Sequence, residues 1–159
     1  HVIDWYIESL GDITLENNII SIQIALEALS YIILVEKEGL LDDEQFDQNN
    51  ASKNIKLVLN ACNIPHGSDE LELFDDWIRG KFDDGVDLVI YFRNKIVHPV
   101  RKDNRANLTV EDMWNIIQIG TKYIELIVLS FIGYKGEYSN RLKERWFGEV
   151  EVVPWNKLD

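Results

Sequence analysis

Apolar positions recur at helical spacing through most of the chain. Between residues 14 and 37, Ile19, Ile22, Leu26, Leu29 and Ile33 form one stripe, and Ile20, Ile24, Tyr31 and Leu34 form a second beside it. A helix apolar over so wide an arc is expected to lie centrally among its neighbours, with Gly39 as its stop. Glu27 interrupts the second stripe, where another apolar residue would fit the pattern. The acidic, amide-rich stretch 42–52 reads as a connection with room for one helical turn. Residues 52–63 give a short helix ended before Pro65, and Ser68 or Asp69 caps the next, which runs to Arg79.

Asp83-Asp84-Gly85 then punctuates the chain and starts a helix from Val86 to about Val97. Pro99 restricts the backbone of His98 and places a helix end there. A loop, PVRKDNRANL, follows. Thr109 with Asp112 three residues on resembles a capping box ahead of a long helix to about Ile132, broken by Gly133 and Gly136. Residues 149–153, EVEVV, alternate and suit a short strand or an extended tail. With no repeat, low-complexity segment or internal boundary, residues 1–159 are expected to form a single all-α domain. Its architecture is expected to be an up-and-down bundle of four to five main helices with a short extended C-terminal tail.

Composition agrees with a folded chain: 159 residues, 46% hydrophobic, 28% charged and five tryptophans. No uninterrupted apolar run approaches the ~20 residues that a membrane span needs. The single cysteine, Cys62, excludes an intrachain disulfide and a zinc site built from thiolates, and it suits a reducing, cytoplasmic setting. The chain opens at His1 rather than methionine, so it is expected to be the C-terminal part of something longer.

Charge redirects attention to one segment. A net charge of −12 disfavours loose attraction to nucleic acid, which depends on neutralising phosphates. Any such binding must therefore be local. Residues 93–105 carry Arg93, Lys95, Arg101, Lys102 and Arg105 against one acid, Asp103. Within this basic island Asn94 and His98, four apart on a helix, lie near one face. Arg93 falls instead on the apolar side, where a guanidinium must find an anion or acceptors. Glu27 is the expected partner that fixes its orientation. His98 at a helix end, among cations, has the chemistry of a general acid or base on a phosphodiester. Arg93 can bind the phosphate and stabilise charge on its oxygens, and Asn94 can hold substrate or orient the ring. On the residues alone, the plainer reading is an arginine that ties two helices through Glu27 and a histidine that merely ends a helix.

Arg93-Asn94-Lys95-Ile96-Val97-His98 on the penultimate main helix of a small bundle resembles the motif of HEPN domains, in which arginine and histidine are separated by four to six residues. GYKGEYSNR (133–141) and VPW (153–155), after a long apolar helix, resemble the ApeA-like branch, so that the similarity covers nearly the whole chain. The resemblance implies a metal-independent endoribonuclease acting on single-stranded RNA, with no cofactor. Two copies would pair so that two motifs meet in one cleft of a homodimer. The RNA 2′-hydroxyl would attack the adjacent phosphate, leaving a 2′,3′-cyclic end and sparing DNA. Arg93 would bind phosphate, Asn94 support, His98 handle the proton, and Lys95, Arg101, Lys102 and Arg105 contact RNA. Such domains recur in antiviral, abortive-infection and toxin systems, often joined to a sensor domain. The alternative in the same fold is a non-catalytic module for dimerisation or for RNA or nucleotide binding.

Other clusters have plainer readings. His66 with Asp69 and Glu70 is a polar turn after Pro65, the two acids suiting a first helical turn. Asp42-Asp43-Glu44 lacks the glycine and ligand spacing of a calcium loop. The tryptophans at 5, 77, 114, 146 and 155 suit core or interface packing, and Cys62 a small buried hydrophobe. Tyr134, Tyr138, Asn140, Arg141 and Arg145 are expected to anchor the C-terminal segment on the bundle, with contact to RNA the sharper alternative.

Overall fold

A computed structural model describes residues 2–11, 14–98, 108–143 and 149–156. Among the described residues the fold is all-α apart from one two-stranded ribbon, as the periodicity predicts. Helix α1 spans Val2–Ser9 and was not anticipated from the pattern. Helix α2, Leu15–Tyr31, starts at Thr14, whose side-chain oxygen accepts from the Asn17 backbone N–H at 3.3 Å. It passes into a π-helical turn, Ile32–Lys37. Gly39 then takes φ +58, and the Leu40 N–H bonds back to the Leu34 carbonyl at 2.7 Å, which closes the helix.

The stretch expected to be mostly connection holds a short helix, α3 (Asp43–Gln48), because Asp42 and Gln45 cap each other reciprocally. Helix α4 follows over Ala51–Ala61, capped by Asn50. The single helix expected up to Arg79 is instead two pieces. A 3-10 turn covers Ser68–Leu73, Phe74 is extended, and Asp75 caps a new short helix, α5 (Asp76–Arg79). Leu71, Phe74 and Ile78 enter the core on both sides of the break, and Glu70 turns inward with them. The i, i+3, i+7 spacing of Leu71, Phe74 and Ile78 would suit one continuous helix as well, and what marks the break is Asp75, whose carboxylate accepts from the Ile78 N–H and starts a new helix.

Helix α6, Gly85–Val97, is capped by Asp84, which accepts from the Asp87 N–H at 3.0 Å. Helix α7, Val110–Phe131, opens with the expected Thr109–Asp112 capping box. The ribbon pairs β1 (Glu137–Tyr138) with β2 (Glu151–Val152) antiparallel, Glu137 opposite Val152 and Tyr138 opposite Glu151. The extended tail thus has a partner strand that its own alternation did not reveal.

Helix α2 is the centre of the bundle and packs against α1, α4, α6 and α7. Ile19, Ile22, Ala25 and Leu26 are essentially without solvent contact. Leu15–Lys37 meets the length and hydropathy of a membrane span, but 61% of its apolar window is buried by the other helices, as in the core helix of a bundle. Gly120 lets α7 approach closely, since a Cβ there would overlap the Cγ2 of Ile22.

Two polar networks cross the interior. Glu70 is 6% exposed; it receives Lys122 Nζ at 2.7 Å and the hydroxyl of the fully buried Tyr123. Burial first, and Glu70 second, push the Tyr123 phenol well above its ordinary range. At the start of α6, Lys56 reaches Asp84 at 2.9 Å and Asp87 at 2.7 Å, while Ser52 donates to Asp87 at 2.5 Å. Burial alone would raise the Asp87 carboxyl, but these donors outweigh it and hold the group below its usual value.

Candidate functional site

Helix α6 arranges the basic motif by its own periodicity. Leu88, Val89 and Phe92 face the core. Asn94 points away from it, and His98 sits just past the last turn, where its N–H bonds the Asn94 carbonyl at 2.8 Å. Both side chains are exposed. The imidazole is thus open to a polymer in solvent, as the nuclease reading requires. Lys95 is half-buried, with its ammonium 5.4 Å from the Tyr91 ring centre.

Arg93 is half-buried on the flank of the core face. Its Nη1 donates to Asn94 Oδ1 at 3.2 Å, and its Nε is buried without a hydrogen-bond partner among the described residues. The expected pair with Glu27 is not formed. Glu27 instead accepts from the side-chain amide of Gln23, one turn earlier on α2. A neighbour at i−4 on the same helix supplies the donor, so the carboxylate needs nothing from α6. Arg93 therefore has no carboxylate at ion-pair distance among the described residues. Arg101, Lys102 and Arg105 lie outside the described residues, as does Arg145.

The motif lies on open surface. A cavity of about 680 Å³ exists elsewhere, between α1, α7 and the residues after β1, lined by Ile3, Tyr6, Ile124, Val128 and Leu129 among others. None of Arg93, Asn94 and His98 lines it. The described residues contain no group of three or more His, Cys, Asp or Glu placed to hold a metal ion.

A family model described as the YopA C-terminal domain matches residues 1–152. The chain belongs to that family. It is 34% identical over 160 residues to the SPbeta prophage-derived uncharacterized protein YopA of Bacillus subtilis (strain 168), an alignment that covers 99% of this chain and 35% of that protein. The chain therefore spans about a third of the length of the relative it matches. No solved structure matches it.

In this YopA C-terminal domain the remaining candidates resolve into structural roles. Arg141 forks onto Glu125 of α7 at 2.9 and 2.5 Å, Asn140 donates to Glu151 at 3.1 Å, and Trp155 Nε1 donates to the Tyr134 carbonyl at 2.7 Å. These contacts anchor the C-terminal segment, as expected. His66 lies with Nδ1 3.4 Å from Asp84 and Nε2 3.3 Å from Asn60, part of the polar turn. Glu70, expected in an ordinary first turn, belongs to the interior network with Tyr123. One arrangement near the motif was missed: Lys81 Nζ lies 2.7 Å from the Tyr91 hydroxyl and 4.5 Å from the Trp77 ring centre. Tyr91 and Lys95, four apart, were its only signal in the sequence.

Proposed function

We propose that this YopA C-terminal domain is a metal-independent endoribonuclease of HEPN type, in which Arg93, Asn94 and His98 act on a phosphodiester of single-stranded RNA. The observation that carries the reading is the state of Arg93. A half-buried guanidinium without a carboxylate partner among the described residues is costly, and fold stability alone gives no reason to keep it. A phosphate oxygen would satisfy its unused donors in the forked geometry that arginine favours. Asn94 holds one arm of the guanidinium, and His98, four residues on, lies near Asn94's face of the helix.

The chemistry follows from these groups. His98, neutral, takes the proton from the RNA 2′-hydroxyl as its oxygen bonds to the adjacent phosphorus. The 5′-oxygen of the next nucleotide leaves and acquires a proton, from a second histidine or from water. Arg93 stabilises the added charge on the non-bridging oxygens during the displacement. The products are a 2′,3′-cyclic phosphate and a 5′-hydroxyl.

Among the described residues, the cavity does not take in Arg93, Asn94 or His98. Val97 on the last turn of α6, and Val110 and Trp114 on the first turns of α7, are exposed apolar side chains on either side of the loop that follows the motif. They suit a face closed by a second copy, which would also bring a second Arg93 and His98. The same face would serve the alternative reading, a dimerisation module without catalysis.

The test is incubation of the domain with single-stranded RNA in EDTA, beside His98→Ala matched for melting temperature. Cleavage lost in the variant, with cyclic-phosphate ends and intact DNA controls, supports the reading. Equal background in both proteins, for a preparation shown to be dimeric, rejects it in favour of the module.

A further inference from the structure

The exposed side of α6 continues into an aromatic and cationic strip. On a helix Tyr91, Lys95 and His98 fall within about 60° of one another, so they share one face. Trp77 of α5 is 49% exposed. Lys81, just past α5, lies 4.5 Å from the Trp77 ring centre and 4.0 Å from that of Tyr91, and its ammonium donates to the Tyr91 hydroxyl at 2.7 Å. Phe82 backs Tyr91 edge-on at 5.1 Å. The result is a fixed alternation of ring, cation, ring and cation that ends at Lys95, about one helical turn before His98.

This arrangement is not what a core requires. The Trp77 ring is half in solvent, Lys81 is exposed and Lys95 half-buried, on a chain whose net charge is −12. Arg79 is paired with Asp76, and Asp75 caps α5. The cations in reach of a ligand along the strip are therefore few, whereas ring area is plentiful. Rings with sparse cations suit an unpaired polynucleotide, whose bases stack and whose phosphates meet an ammonium at intervals. A duplex hides its base faces and depends on many phosphate contacts, which this surface does not offer.

We infer that Trp77, Lys81, Tyr91 and Lys95 form a track that binds the single-stranded RNA leading to His98, with one base stacked on the free face of Trp77 and a phosphate at Lys81. The inference rests on the nuclease reading for its substrate, though not for its binding chemistry. Lys81 on one face of the indole polarises the ring and holds it, so the platform exists before RNA arrives. Because stacking carries most of the affinity, binding depends only shallowly on salt. Two phosphate contacts give a slope of log affinity against log salt of about −1.4.

The experiment separates track from chemistry. A fluorescein-labelled 2′-O-methyl RNA of about 12 nucleotides, which cannot be cleaved through its 2′-oxygen, is titrated with the domain and followed by anisotropy. Trp77→Ala should weaken binding about tenfold, Trp77→Phe should restore most of it, and Lys81→Ala should flatten the salt slope by about 0.7. Both positions are surface sites, and matched melting curves identify any variant that has lost its fold. If the wild type cleaves RNA while Trp77→Ala and Lys81→Ala keep its affinity and KM, the track is overturned and the nuclease reading stands. If the wild type cleaves nothing but binding still depends on both side chains, the track holds and the nuclease reading falls. Absence of measurable affinity for the oligonucleotide overturns the track outright.

Discussion

Arg93 and Asn94, adjacent on α6, are hydrogen-bonded through their side chains, Nη1 to Oδ1 at 3.2 Å. The bond orients a guanidinium that has no acid at ion-pair distance among the described residues. Arg93→Ala should lower single-turnover cleavage by about 10²–10³-fold, the loss typical of one preorganised donor to a developing oxyanion. Arg93→Lys keeps the charge but not the fork, and should recover only a small part of that loss. Asn94→Ala should cost roughly tenfold, about the worth of one hydrogen bond. Equal rates for wild type and Arg93→Ala would remove the arginine from the mechanism.

The Tyr123–Glu70 contact makes stability fall in alkali. The folded state keeps the phenolic proton well above the ordinary Tyr range, burial being the larger cause and Glu70 the next. Above about pH 10 the unfolded chain releases that proton while the folded chain retains it. The unfolded state then binds fewer protons, so unfolding free energy decreases as pH rises. Tyr123→Phe should be less stable at pH 7 by about 1–2 kcal/mol, and its deficit should shrink in denaturant titrations above pH 10. A deficit constant from pH 7 to 11 would contradict the assignment.

At the other end of the pH scale, Asp87 supplies the corresponding effect. Its carboxyl is held low by Lys56 and Ser52 against the opposing influence of burial. A depressed carboxylate stabilises above its unfolded pKa of about 3.9, and that stability is lost as pH falls through the folded value. Asp87→Asn should melt lower than wild type at pH 6, by about 1 kcal/mol. The two curves should converge below about pH 4. Parallel curves down to pH 3 would show that Asp87 contributes nothing through its charge.

Gly120 permits the close packing of α7 on α2. With Ala in its place, the added methyl must displace Ile22, which is 0% exposed and held from all sides. Gly120→Ala should destabilise by about 1–3 kcal/mol despite the better helix propensity of alanine. The double variant Gly120→Ala/Ile22→Ala should recover part of the loss in a double-mutant cycle. Simple additivity of the two would place the strain elsewhere.

Much of the architecture was legible in the sequence because local signals and global packing agree. Asp84 and Thr109 cap helices where the sequence places helix starts, and Gly39 stops the central helix. Segment 68–79 misled because Leu71, Phe74 and Ile78 keep the spacing of one helix across the break, while the signal for a new start is Asp75, which accepts from the Ile78 N–H. The partner of Arg93 misled for a similar reason. Spacing locates a residue on a helical face, but it does not show that Gln23 already engages Glu27. The lysine between Trp77 and Tyr91 was hidden because those side chains come from separate elements. Single-element periodicity carries no information about such a meeting.

Glu125, on α7, accepts from the hydroxyl of Tyr6 in α1 at 2.8 Å and from the guanidinium of Arg141 beyond β1. Elements from opposite ends of the described chain thus share one acceptor. Fraying at either end strips donors from a partly sheltered carboxylate and raises the free energy of the rest. The two ends are therefore thermodynamically coupled, and slow amide exchange in α1 should depend on whether Arg141 is present.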